Sequence, residues 1–253
     1  MDDSVNVVTG GGGRTTAGDV VEGGTDLAVL PPPPDPGPIG RLIGVFIRPR
    51  ATFESMRERP RFLLAFIILL VVQTTIAFVL FHSGIVAEQT IAKMEAQGKD
   101  PRAIEQVQSF FEGTGGLIIT VLTAPVATAV GLLSGAAILF FMANLMMGAR
   151  LRFAHYLSAV AFAGIVQLVD QLVRVGLILA NRSFDVRLGL GMLFGDSTGF
   201  GVRAIDTLTD PLFLWGNAIG ALAVGTYSKR GFGFGVLAIL PGVILAVILS
   251  ANR

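Results

Sequence analysis

Five charge-poor runs govern what this chain can become. Residues 62–82, 113–149, 211–228 and 231–252 contain no Asp, Glu, Lys or Arg, and residues 153–181 contain only Asp170 and Arg174. A helix crossing the hydrocarbon core of a bilayer needs about 20 mostly apolar residues, because no water is there to satisfy a bare backbone. Each run meets that need. The composition agrees: 52% of the residues are hydrophobic and 15% are charged, whereas a soluble domain is about 25% charged. The reading is an all-α fold, a polytopic membrane protein with five transmembrane helices in a bundle and a disordered N-terminal tail. Its spans fall near residues 62–82, 117–147, 155–180, 210–228 and 232–251.

The run 113–149 decides the count, since its 37 residues exceed one span. Two spans need about 40 residues plus a turn, and the only strong breaker, Pro125, lies too near the start to centre a hairpin. Proline inside a spanning helix is tolerated as a kink, because neighbouring helices satisfy the freed carbonyl. The run therefore reads as one long helix, interfacial in its outer third or kinked at Pro125. Charge placement supports an odd number of spans. Six arginines precede the first span, Arg150 and Arg152 follow the second, and Lys229 and Arg230 follow the fourth. Five spans put all of these on one side, which the positive-inside rule makes cytoplasmic. Loops 83–112 and 182–210, each with more acids than bases, then lie outside with the C-terminus. In the first of these loops, residues 86–97 and 104–111 are split by Gly98 and Pro101 and read as a small helical hairpin on the outer surface.

Residues 1–40 hold nine glycines, six prolines and no aromatic residue. Such a segment buries too little apolar surface to offset its ordering entropy, and it reads as a disordered cytoplasmic tail with a stiff polyproline stretch. Its glycine run lacks the Lys-Ser/Thr of a phosphate loop, and its scattered apolar residues do not form a signal peptide. Residues 41–61 are different. Arg41, Arg48, Arg50, Arg57, Arg59 and Arg61 meet only Glu54 and Glu58, interleaved with apolar residues and divided by Pro49. This is a basic interfacial segment. Its guanidinium groups either hold anionic lipid headgroups or serve only as a topological flank.

Within the spans, Asp170 and Arg174 are four apart and share one helix face, so they can pair. They mark either an ion path or a self-neutralising structural pair. Gln73, Asn144 and Asn217 suit hydrogen bonds between helices. Gly131/Gly135 and Gly216/Gly220 have the spacing that lets backbones approach closely; they favour packing within the chain over a dimer, and a homo-oligomer stays open. Asp185, Asp196, Asp206 and Asp210 are scattered over a glycine-rich loop and read as solvated charges. No catalytic constellation emerges. The chain has no cysteine and only His82 and His155, which excludes thiolate chemistry and multi-histidine metal centres. Ser134 lacks the preceding glycine of a nucleophile turn. No cofactor or metal is implied, and the basic residues form no nucleic-acid face.

Three stretches carry a family resemblance. Pro49, Phe53 and Pro60 lead into the first span. Gly148 is followed by Phe153, His155 and Tyr156 at the start of the third. Asp210-Pro211-Leu212-Phe213-Leu214-Trp215 opens the fourth. In this order, over residues 41–250, they resemble the Yip1 domain. The resemblance implies an integral membrane protein without a catalytic centre. Eukaryotic relatives are associated with Rab GTPases and vesicle traffic; this chain departs from them in its short Gly/Pro tail. Its 16 arginines against three lysines point to a GC-rich bacterial genome, hence a prokaryotic type in the plasma (inner) membrane. The expected role is non-enzymatic: membrane organisation, trafficking or a scaffold for membrane or cytoplasmic protein partners. The alternative is a small transporter or channel using Asp170 and Arg174, which predicts an internal repeat that is not evident here.

Overall fold

The computed structural model describes residues 37–195 and 199–251. The expected tail lies outside the described residues up to residue 36, and residues 37–40 already belong to a helix. A pair of short helices precedes each of the first two long ones. α1 (Gly37–Ile47) and α2 (Pro49–Met56) precede α3 (Leu63–His82), and α4 (Ile85–Ala96) with α5 (Pro101–Glu112) form the expected hairpin. α6 (Thr114–Phe140) contains Pro125 and runs on without a break into a π-helical turn, Phe141–Met146. α7 (Phe153–Asn181) follows. A 3-10 turn, Leu190–Phe194, leads to α8 (Phe200–Thr209), α9 (Pro211–Ser228) and α10 (Phe232–Ala251). Prolines 49, 101 and 211 stand in the first turn of their helices, where the missing N–H has no intrahelical partner to lose. Asp100 and Asp210 cap α5 and α9 by accepting backbone N–H bonds.

Four segments are long and apolar enough to cross a membrane: Leu63–His82, Thr114–Met146, Phe153–Asn181 and Phe232–Ala251. α9 makes a fifth long helix of 18 residues but falls short of that apolarity. Its position explains why it can. α9 packs between α7 and α10, with α2 against another side, and eight of its residues are buried. Glycines make these approaches feasible. Gly216 lies against Gln167 and Gly220 faces Ala163 on α7, while a methyl at Gly235 of α10 would overlap the Ala221 carbonyl of α9. The Gly216/Gly220 pair thus packs helices within the chain. Of the other pair, Gly135 faces Val160 but Gly131 has nothing within 4 Å. Large apolar side chains on α3, α6 and α10 point outward, among them Val71, Leu122 and Leu249.

Side-chain bridges sort the connections into two ends. At one end, the Arg230 guanidinium donates to the carbonyls of Met147 and Gly148, and His155 Nε2 lies 2.9 Å from the Arg57 carbonyl. At the other, Arg182 pairs with Glu88 at 2.5 Å, and Thr207 meets Ser250 at 2.8 Å. Residues 57, 147–152 and 229–231 share the first end; residues 83–89, 182–190, 207 and 250 share the second.

The basic segment is more deeply integrated than a surface strip. Phe46 makes an edge contact with Trp215 and Phe53 with Tyr227, at ring separations of 6.3 and 5.8 Å. Those partners are about 18 Å apart along α9 at the usual helical rise, so α1 and α2 follow the flank of α9. Val45 and Phe53 are fully buried.

The contrast between two glycines of α10 tests this packing. Gly235→Ala should destabilise the purified protein by about 1–3 kcal/mol, the usual scale of overpacking. Gly233→Ala, at a position with open space, should be neutral or stabilising by up to about 1 kcal/mol from helix propensity. Thermal unfolding in detergent compares the two; equal shifts would contradict the close α9–α10 crossing.

Candidate functional site

Three charges from two helices meet toward the second end. Arg174 sits on α7 one turn beyond Asp170, as their spacing requires, and its Nε donates to both Asp170 carboxylate oxygens at 2.9 and 3.1 Å. Nη2 donates to Asp210, and Nη1 to the Val186 carbonyl at 3.2 Å. Asp210 has a second task. Its Oδ1 accepts the backbone N–H groups of Leu212 and Phe213 at 2.9 and 3.3 Å, capping α9. A carboxylate at a helix N-terminus is favoured by the helix dipole as well as by these bonds. The group therefore ties α7, the 182–190 loop and the start of α9 together. Its exposure is graded: Arg174 retains 28% of its side-chain surface, Asp170 15% and Asp210 none.

Beside it, Asp206 is buried and accepts the Gly189 N–H at 2.9 Å. Gly189 and Gly191 lie so close to Asp206 that any side chain there would clash. These two aspartates correct the expectation of solvated loop charges. Burial is affordable because each carboxylate meets backbone N–H groups, and Asp210 meets a guanidinium too. Asp185 does remain exposed and pairs with Arg187 at 3.1 Å; Asp196 lies outside the described residues.

The first end holds a second polar cluster. Asn144, in the π-helical turn, donates to the Leu151 carbonyl at 2.7 Å and accepts from Tyr156 Oη at 2.6 Å and Leu151 N at 3.2 Å. It thus staples the 147–152 connection to α7. His155 Nδ1 lies 3.2 Å from the Arg152 carbonyl, and its ring meets Tyr227 edge-on. Buried Ser158 and Tyr227 share a 3.0 Å hydrogen bond between α7 and α9.

The remaining candidates separate. Gln73 donates to Gln171, joining α3 to α7. Asn217 donates to Phe213 one turn back on its own helix at 2.8 Å, not to a neighbour. Of the basic segment, Arg41 is buried, contrary to a membrane-surface role, and is not without partners. Arg48, Arg50, Arg59 and Arg61 are exposed, and Arg57 is half-buried. Sequence reasoning passed over Asp210, His155, Tyr227 and Arg230 as joints. For Asp210 a signal existed, since Asp-Pro before an apolar run is a helix-start signature.

The graded burial sets an order of mutational effects. Asp210→Ala removes a cap and leaves Arg174 half-neutralised, which should cost about 3 kcal/mol. Asp170→Ala, at the more exposed member with no backbone bond, should cost about 1 kcal/mol. Chemical unfolding in detergent measures both, and the reverse order would show that Asp210 does not hold α9.

The comparisons with known proteins fit this architecture. No curated protein and no solved structure matches the chain. The Yip1 domain profile matches residues 43–251, from the middle of α1 to the last residue of α10. The chain is a multi-pass integral membrane protein that belongs to the Yip1 domain family.

Proposed function

We propose that this protein is a five-crossing, non-enzymatic scaffold of the prokaryotic Yip1 type, acting in membrane organisation, with α9 as the fourth crossing. The grouping of connections into two ends supports five crossings, because each long helix, α9 included, joins one group to the other. The arginine-bearing connections 57–61, 147–152 and 229–231 share one end, and the positive-inside rule assigns that end to the cytoplasm.

The observation that carries the scaffold reading is how the polar side chains are used. Asp170 and Arg174 clamp α9 at one end, Asn144 clamps a connection at the other, and Asn217 is spent on its own helix. They occupy separate joints instead of lining one continuous route, which disfavours the transporter alternative. What the bundle offers outward is α1–α2, held rigidly by Phe53 and by His155, with Arg48, Arg50 and Arg59 exposed. These arginines suit anionic headgroups or acidic protein partners at the cytoplasmic surface.

Reporter fusions at positions 100 and 152 should report opposite sides of the membrane; the same side for both would end the five-crossing reading. A photo-crosslinker at exposed position 51, used in native membranes, should give a reproducible protein adduct. That adduct should weaken when Arg48 and Arg50 become glutamine, and recovery of no adduct would sink the scaffold role.

A further inference from the structure

The second end encloses a hollow of about 1020 Å³ between α4, the 183–187 segment, α8 and the end of α10. Four cations line it, Lys93, Arg174, Arg187 and Arg203, against two carboxylates, Asp185 and Asp206. Most of these charges are already committed. Arg174 serves Asp170 and Asp210; Arg187 serves Asp185 and the Gly191 and Gly195 carbonyls. Asp206 accepts the Gly189 N–H. Arg203 differs. It is half-buried on α8 facing the hollow, and its guanidinium has no hydrogen-bond or ion-pair partner among the described residues. A guanidinium carries five donors in a planar fork suited to two oxygens at once. Lys93, which has an interaction of its own, adds a second positive charge from the facing wall.

A second feature points to the source of the ligand. The rim beside the hollow exposes Phe184, Leu190, Leu193, Phe194 and Phe200, with Leu193 at 74% of its surface. Water does not favour such a cluster. The 3-10 turn packs on α8 and α8 packs on α10; where spanning helices leave the hydrocarbon, apolar side chains meet acyl chains while cations meet phosphates.

We propose that this hollow is a phosphate site, with Arg203 as the fork that receives two phosphate oxygens and Lys93 as its electrostatic partner. The phosphate arrives either on a phospholipid headgroup, whose chains rest on the apolar rim, or free in solution. The inference rests on the multi-pass placement of α7 and α10 and not on the scaffold role.

Native mass spectrometry of the full-length protein in a non-ionic detergent, titrated with phosphatidylglycerol, tests it. Wild type should retain one lipid more tightly than the rest. Arg203→Gln should weaken that lipid roughly tenfold, the scale of one charge-assisted fork, and Arg203→Lys should weaken it less. Arg102→Gln, exposed on α5 and outside the lining of the hollow, should leave it unchanged. Glycerol 3-phosphate and inorganic phosphate form the second arm. Binding of either with the same Arg203 dependence identifies a soluble ligand, and retention of the lipid alone identifies the headgroup. Arg203→Lys with wild-type competition carries the test if the glutamine variant fails to fold. Equal retention by wild type and a folded Arg203 variant, or no tight ligand at all, would overturn the proposal.

Discussion

The close approach of α9 to α7 and α10 is the constraint on which the rest of the bundle depends. Inside a bilayer, lipid tails are as apolar as leucine, so helices associate through van der Waals contact and hydrogen bonds instead of hydrophobic exclusion. Both require short separations. Gly216 and Gly220 give α7 that separation on one flank, and Gly235 gives it on the other. Once α7 and α9 are this near, Tyr227 reaches Ser158 at one level and Asp210 reaches Arg174 at another. The lower apolarity of α9 follows from the same geometry. A helix packed against α2, α7 and α10, with eight of its 18 residues buried, sets its small and polar side chains largely against protein.

The placement of charge obeys a related rule. Arg174 lies about two turns short of the end of α7, and its side chain keeps 28% of its surface exposed. Asp210 is the exception, wholly buried, and it survives there because a guanidinium and two backbone N–H groups replace the water it lost. The same carboxylate starts a helix and joins it to another.

Much of the fold was legible because it rests on local signals. The charge-free runs, the hairpin split at Gly98 and Pro101, and the single helix through Pro125 each follow from chain composition and breaker residues. Three things were not legible, for a common reason. Arg57 and His155 meet across 98 residues, and Arg174 and Asp210 across 36. The burial of Asp206 depends on the backbone of Gly189. No window of sequence contains both partners. The basic segment shows the same limit: its arginines were plain, but the depth to which Phe46 and Phe53 carry it along α9 depends on Trp215 and Tyr227. The π-helical turn had no local signal at all; its effect is to aim Asn144 at Leu151 and Tyr156.

The positions that carry the family resemblance turn out to be joints. Pro49 begins α2 and Phe53 is its buried anchor; Gly148 takes a left-handed turn with φ of 67° between α6 and α7. His155 and Tyr156 receive the basic segment and the Asn144 staple, and Asp210-Pro211 starts α9. The spans themselves need only be apolar and long, a requirement many residues meet equally well. A joint needs one side chain with a donor or acceptor in one place. The stretches that carry the resemblance therefore sit where elements meet. Arg48, Arg50 and Arg59 are exposed outside those joints, and Arg203 is half-buried on α8.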